Sequence, residues 1–235
     1  MKRILLLALL TSGLGRVCAQ DGFVSQSGAP LSYNVFDHNG KAFVNPAPEV
    51  EGTPFLTDKW RMGTLVVTTN RRYDSVKIRI NLLSQEVHVL DRNNTEIALA
   101  KGYIKQVIWT DAVKGLPTGG TCFQSGFPAV DNQDKDFFYE VLSQGKLWLL
   151  HSVRKVITER KDGLSGDIRK DYTTYDDYYV YDGKNMQRVR KDKSFILTIA
   201  GDKRDKIDAF LEANKLKARS AEDLRRIIDY YNTLP

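Results

Sequence analysis

The chain has 235 residues with a formal net charge of +6, and 42% of its residues are hydrophobic. This composition is typical of a folded domain and excludes a chain that is disordered throughout. After the first residues, no apolar run approaches the roughly 20 residues that a membrane-spanning helix needs.

Residues 1–19 have the three parts of a secretory signal peptide, in the usual order. Lys2 and Arg3 are the positive start, residues 4–10 form an apolar run, and Val17-Cys18-Ala19 ends in small residues. We expect cleavage after Ala19 and export to the periplasm, the outer-membrane surface or the medium. A lipid anchor on Cys18 is the alternative, although the residues before it do not fit a lipoprotein motif.

Removal of the signal peptide changes both the charge and the cysteine content. Three basic residues are lost, which leaves 32 basic against 29 acidic residues and a net charge of +3. The mature chain has no basic stripe of the kind that binds nucleic acid, since the basic stretch 188–193 is interpreted as a solvated strand end. Cys122 is then unpaired, and we interpret it as a small buried residue, with a reactive nucleophile as the alternative.

The mature chain begins with a segment, 20–56, that is rich in Gly, Pro, Ser and Asn. It is predicted to be an extended N-terminal arm with short strands at 31–36 and 41–44. The following region, 57–200, is predicted to be an antiparallel β domain, because runs of alternating apolar and polar residues are joined by short turns. The predicted strands are 64–68, 76–82, 87–89, 96–99, 103–110, 122–124, 137–143, 146–159, 173–181 and 186–190. They predict a meander of about nine strands that forms a curled sheet, roll or sandwich.

The last segment, 201–235, changes to helical periodicity. Asp202 is predicted to cap one helix, and Ser220 begins a capping box for a second. Each helix has one apolar stripe, so a C-terminal helical hairpin should pack on the sheet, and binding to a partner protein is the alternative. The fold class is therefore α+β and mainly β, with two C-terminal helices.

The sequence contains no spacing of residues that is typical of a metal or cofactor site. His38, His88 and His151 are far apart in the chain, and the acidic stretch 131–136 lacks the alternating oxygen ligands and the glycine of a calcium loop. We therefore expect neither a metal nor a cofactor.

A tyrosine-rich strand is the best candidate for a ligand surface. Tyr175, Tyr179 and Tyr181 alternate along it, and Asp177 lies between them. Aromatic rings next to carboxylates suit sugar binding, but aromatic residues also favour strands for purely structural reasons.

Several short motifs together resemble a family of secreted, β-rich cell-envelope proteins from Bacteroidota with no known activity. The motifs are 51–56 (EGTPFL), 79–81 (RIN), 125–128 (SGFP), 138–142 (FYEVL), 220–224 (SAEDL) and 230–232 (YYN). The resemblance implies an envelope or extracellular location and assigns no catalytic residue.

The expected function is a non-catalytic binding or interaction module, whose partner is an envelope protein, a polysaccharide or a lipid. One alternative is a secreted hydrolase that uses carboxylates such as Glu140, Asp176 or Asp177. A second alternative is a carrier of a lipid or another small apolar ligand, which would require an apolar cavity within the sheet.

Overall fold

The computed structural model describes residues 35–36, 42–43, 50–109, 122–161, 163 and 167–235. The predicted signal peptide, most of the predicted arm and His38 lie outside the described residues. The chain divides into two compact units, 1–46 and 47–235. In the first unit, β1 (Val35–Phe36) pairs antiparallel with β2 (Ala42–Phe43), within the two short strands that the sequence predicts there.

The second unit is built on one mainly antiparallel sheet of 11 strands. Its strands are β3 (Val50–Glu51), β4 (Arg61–Val67), β5 (Arg72–Asn81), β6 (Glu86–Leu90), β7 (Glu96–Ala98), β8 (Ile104–Trp109), β9 (Cys122–Gln124), β10 (Tyr139–Ser143), β11 (Trp148–Lys161), β12 (Ile168–Tyr181) and β13 (Met186–Arg188). Their order across the sheet is β13-β12-β11-β10-β9-β8-β4-β5-β6-β7, and β3 pairs with β12. The mainly β character and most strand positions therefore agree with the prediction, although the strand number was too low.

The prediction of a purely antiparallel meander was wrong in two respects. Residues Val50 and Glu51 of β3, in the predicted arm, pair parallel to Lys170 and Asp171 of β12. In addition, β8 returns to pair with β4 instead of continuing the sheet beyond β7. Gly63 permits this close approach, since a Cβ at that position would lie 2.6 Å from the carbonyl oxygen of Ile108 on β8.

The sheet curls so that the turn between β5 and β6 reaches β11. The backbone N–H of Lys155 on β11 donates to the carbonyl oxygen of Leu82 at 3.0 Å. In the same turn, the buried Gln85 side chain accepts from Phe138 N at 3.2 Å and donates to the Val153 carbonyl at 3.4 Å. The curl encloses a first apolar core of Leu65, Val67, Ile78, Ile80, Leu82, Val87, Ile104, Val107, Trp109, Phe123, Phe138 and Val153.

Three α-helices follow the sheet, where the sequence predicted two. They are α1 (Lys193–Ile199), α2 (Arg204–Ala213) and α3 (Ala221–Thr233), with a 3₁₀ turn at Gly201–Lys203 before α2. The stretch 188–193 was expected to be a strand end, but Asp192 accepts a hydrogen bond from Phe195 N at 2.7 Å and thereby caps α1. Asp202 lies in the 3₁₀ turn and does not cap α2, whereas the predicted cap at Ser220 is confirmed by its bond from Asp223 N at 3.0 Å.

The helices cover one end of the sheet and form a second apolar core with it. Residues from all three helices pack there against Leu142, Leu147, Leu149, Tyr178 and Val180. None of the helices in the described part of the chain is both long and apolar enough to cross a membrane.

The end of α3 is held on the turn between β10 and β11. The Asn232 side chain accepts from Leu147 N at 2.9 Å and donates to the Leu147 carbonyl at 2.8 Å. Gly145 lies directly beneath it, and a Cβ there would lie 2.5 Å from Asn232 Cγ. The turn and the last helix therefore fit together only because residue 145 has no side chain.

Candidate functional site

The long hairpin of β11 and β12 has two faces with different roles. Both strands have 14 residues and pair over their full length, so side chains alternate between the faces. We call the side with Ser152, Arg154 and Asp177 the cleft face. The opposite side, with His151 and Tyr178, faces the two apolar cores and is called the core face.

A polar cleft of about 410 Å³ lies over the cleft face. Its floor is formed by β11, β12 and β13, and its rims are the turn at 82–85 and the loop at 131–134. The charged residues that line it are Lys101, Asp131, Asp134, Arg154, Lys155, Asp177 and Arg188. The volume falls within the range of small-molecule binding sites, about 300–1,000 Å³.

The four residues predicted as a ligand surface all lie on the cleft face, but only two line the cleft. Asp177 and Tyr179 are in its lining. Tyr179 is fully buried and its hydroxyl donates to Asp131 at 2.7 Å, so it supports the rim loop. Tyr181 packs edge-on against Phe127 in an aromatic cluster. Tyr175 remains 43% exposed and lies beneath the guanidinium of Arg154, 4.8 Å from ring centroid to Cζ.

The loop that forms one rim is anchored by buried polar contacts. The Tyr139 hydroxyl donates to Gln133, whose amide donates to Ser152 Oγ at 2.7 Å. Burial raises the pKa of both Tyr139 and Tyr179, so both hydroxyls remain hydrogen-bond donors well above neutral pH. These bonds fix the loop to the floor, which makes the cleft preformed.

The acidic residues of the cleft each have a hydrogen-bond donor. Asp177 pairs with Arg188, and Asp134 accepts from Lys101 at 2.8 Å, which lowers the pKa of Asp134. Arg154 forms no hydrogen bond or ion pair with the described residues. Its guanidinium instead makes a cation–π contact with the Tyr175 ring.

A buried polar pair on the core face was missed by the sequence reasoning. Glu140 Oε2 lies 2.6 Å from His151 Nδ1, and these side chains are 0% and 1% exposed. On the other side of the ring, Nε2 lies 3.6 Å from Asp176 Oδ2, which is partly exposed. Glu140 and His151 each interrupt an apolar run, and the two runs form neighbouring strands. A polar residue in each run was the sequence signal that could have indicated a buried pair.

Tyr178 stacks on the His151 ring with centroids 4.7 Å apart. Burial raises the pKa of Tyr178 to about 12. The pair lies between the core under the curl and the core under the helices, where Phe123 and Leu149 are its neighbours on the sheet. Its burial makes it a structural element that links the two cores.

Cys122 is half-buried at the start of β9, and burial raises the pKa of its thiol, which disfavours the nucleophilic thiolate. Over the described ranges, no three His, Cys, Asp or Glu side chains come together to hold a metal ion.

No protein-family model, curated protein or solved structure matches this chain.

Proposed function

We propose that this chain is an exported, non-catalytic binding module of the cell envelope, whose ligand is polar and occupies the cleft over β11–β13. The observation that carries the proposal is the preformed, charged cleft of about 410 Å³. A preformed site loses little conformational entropy when a ligand binds, and its charged and amide groups suit a ligand that forms many hydrogen bonds.

The distribution of the carboxylates supports binding over hydrolysis. A catalytic acid needs a raised pKa, whereas the pKa of Asp134 in the cleft is lowered by Lys101. Of the carboxylates suggested for a hydrolase, Asp177 is paired with Arg188 in the cleft. Glu140 and Asp176 are on the opposite face, around His151, and do not line the cleft.

The packing of the two cores favours a polar ligand over an apolar one. Under the helices, the apolar gap lined by Leu147, Ile196 and Ile227 is too small to hold a water molecule. The space under the curl is occupied by side chains such as Ile80 and Phe123, both 0% exposed. A carrier of a fatty acid would need an open apolar volume at one of these places.

The proposal is tested by NMR titration of the ¹⁵N-labelled protein with trigalacturonate, with galactotriose and with laurate. We expect at least one sugar to shift the amides of 82–85 and 131–134. Ser84→Trp should block these shifts, because Ser84 is an exposed cleft residue. Thr68→Trp, at an exposed position after β4 and outside the cleft lining, should not.

Three results would contradict the proposal. Shifts caused by laurate alone, on the core face, would favour the apolar carrier. Turnover of either sugar would favour the hydrolase. The absence of any cleft shift with both sugars and with acetyl-Ala-Ala would reject the polar site. Export is tested separately by N-terminal sequencing of the processed protein, which should begin at Gln20.

A further inference from the structure

We infer that the ligand of this cleft carries a carboxylate group and that Arg154 binds it. This inference rests on the proposed function, since it assigns a chemical class to the ligand of the same cleft. The cleft leaves part of its hydrogen-bonding capacity unused.

The acceptors of the cleft are already supplied with donors. Asp131 accepts from Tyr179, Asp134 from Lys101 and Asp177 from Arg188. A cationic ligand would therefore meet no carboxylate in the cleft that lacks a partner in the protein.

The basic side chains of the residues that line the cleft differ in whether their N–H groups already have an acceptor. Lys155 donates to the carbonyl oxygens of Thr53 and Phe55 at 2.7 and 2.8 Å. Arg154, by contrast, makes no hydrogen bond or ion pair with the described residues. A guanidinium has five N–H donors in a planar fork that matches the two oxygens of a carboxylate.

The strand register places Asp177 between Arg154 and a second arginine, Arg188. Arg154 is directly opposite Tyr175 on β12, while Arg188 is opposite Tyr179 from the other side. Asp177, two residues from each of these tyrosines, is therefore diagonal to both arginines. Diagonal neighbours on one face of a sheet are about 7–8 Å apart, within reach of a long side chain.

The charge balance of the cleft favours a single negative charge. Lys101 and Arg188 are each paired with a carboxylate, and the Lys155 ammonium turns to the carbonyl oxygens of Thr53 and Phe55. A single carboxylate would match the one guanidinium of the lining that has no ionic partner among the described residues, whereas a phosphate dianion would bring a second negative charge into a partly enclosed site. The stacking of Arg154 on Tyr175 also holds the guanidinium in place before the ligand arrives.

A carboxylate can come from an acidic sugar or from a peptide end, and the two sources can be distinguished by calorimetric titration. The probes are the monosaccharide galacturonate, its methyl ester, acetyl-Ala-Ala with a free carboxylate, acetyl-Ala-Ala amide and inorganic phosphate. We expect one of the two acids to bind, and to bind at least about 10-fold more tightly than its neutral counterpart.

The matched variants are Arg154→Gln and Arg160→Gln. Both remove a positive charge from the same face of β11, but Arg160 is an exposed residue outside the cleft lining and pairs with Asp171. Arg154→Gln should weaken binding of the acid at least about 10-fold, and Arg160→Gln by less than about 2-fold. Arg154→Lys, which keeps the charge and loses the fork, should bind with intermediate affinity.

The outcomes separate the two proposals. Equal binding of ester and acid, or equal effects of the two arginine variants, would overturn the carboxylate assignment and leave the polar cleft intact. Tighter binding of phosphate than of either acid would also overturn it. Binding of no probe, neutral or charged, together with unchanged NMR spectra, would reject both the carboxylate and the cleft as a ligand site.

Discussion

The buried pair of Glu140 and His151 is suited to a double-mutant cycle. The variants are Glu140→Met, His151→Leu and the double variant. The apolar replacements remove the polar groups while they fill most of the space. Because the two side chains are 2.6 Å apart and at most 1% exposed, water cannot replace either partner without a rearrangement of the sheet.

Each single substitution should lower the free energy of unfolding by about 3–5 kcal/mol, because it leaves the other member of a buried pair without its partner. The double variant should lose less than the sum of the two single losses, since no polar group of the pair then remains buried. The expected coupling energy is about 2–3 kcal/mol. Loss of the Tyr178 stack on His151 occurs in both the single and the double variant and cancels in the cycle.

Urea unfolding monitored by circular dichroism measures all three variants against the wild type. Asp176→Asn is the control, because Asp176 is 51% exposed and 3.6 Å from the ring, so its loss should cost less than about 1 kcal/mol. If the losses of the two single variants add to that of the double variant within about 0.5 kcal/mol, the pair is not coupled and the interpretation is wrong.

Three other predictions concern stability. The pKa of Tyr178 is raised to about 12, so the folded state keeps a proton that the unfolded state loses near pH 10. Between about pH 10 and pH 12 Tyr178 should therefore contribute a loss of unfolding free energy of roughly 2–3 kcal/mol, in addition to the losses from Tyr139 and Tyr179, and the wild type should lose that much more than Tyr178→Phe in denaturation curves at each pH. Asn232→Ala should cost about 2–4 kcal/mol in urea unfolding, because the backbone N–H and carbonyl of Leu147 lose their partner, whereas Asn214→Ala at an exposed helix end should cost less than about 1 kcal/mol. Gly145→Ala should cost about 2 kcal/mol in the wild type and much less in Asn232→Ala, since its Cβ would collide with Asn232 Cγ; equal costs in the two backgrounds would contradict this packing.

The strands were predictable because local alternation determines them. Ile78 and Ile80 alternate with polar residues, and both are fully buried on β5. The turn at 182–183 was also found from sequence, and the bond from Asp182 N to Asn185 O closes it. In both cases the determining contacts lie within a few residues of each other in the chain.

The pairing of distant segments could not be predicted in the same way. The position of β8 next to β4 depends on space at Gly63, and nothing near Gly63 in the sequence indicates a neighbour 45 residues later. Helix α1 was missed because its apolar residues follow a basic stretch that resembles a strand end. The one local signal for the start of the helix is the cap at Asp192, which depends on the contact of a single side chain. The Glu140–His151 pair could not be predicted either, since it depends on the register between β10 and β11.

For the candidate site, the sequence indicated the strand but not the role of each residue. Alternation correctly places Tyr175, Asp177, Tyr179 and Tyr181 on one face of β12. It could not show that Tyr179 is buried beneath the loop at 131–134, or that Arg154, on another strand, has no acceptor within the described part of the chain. Those properties depend on the loop and on the register of β11.

The alternation of β11 makes stability and ligand binding separable by position. His151 and Arg154 are three residues apart and lie on opposite faces of one strand. His151 is in contact with Glu140 between the two cores, while Arg154 lines the cleft. His151→Leu should therefore lower the unfolding free energy and leave the affinity of the folded protein for the acidic probe within about 2-fold of wild type. Arg154→Gln should instead weaken binding of the acidic probe and leave the unfolding free energy nearly unchanged. If both variants changed affinity and stability together, the two faces would be coupled through the strand, and the cleft could not be treated as an independent site on a rigid sheet.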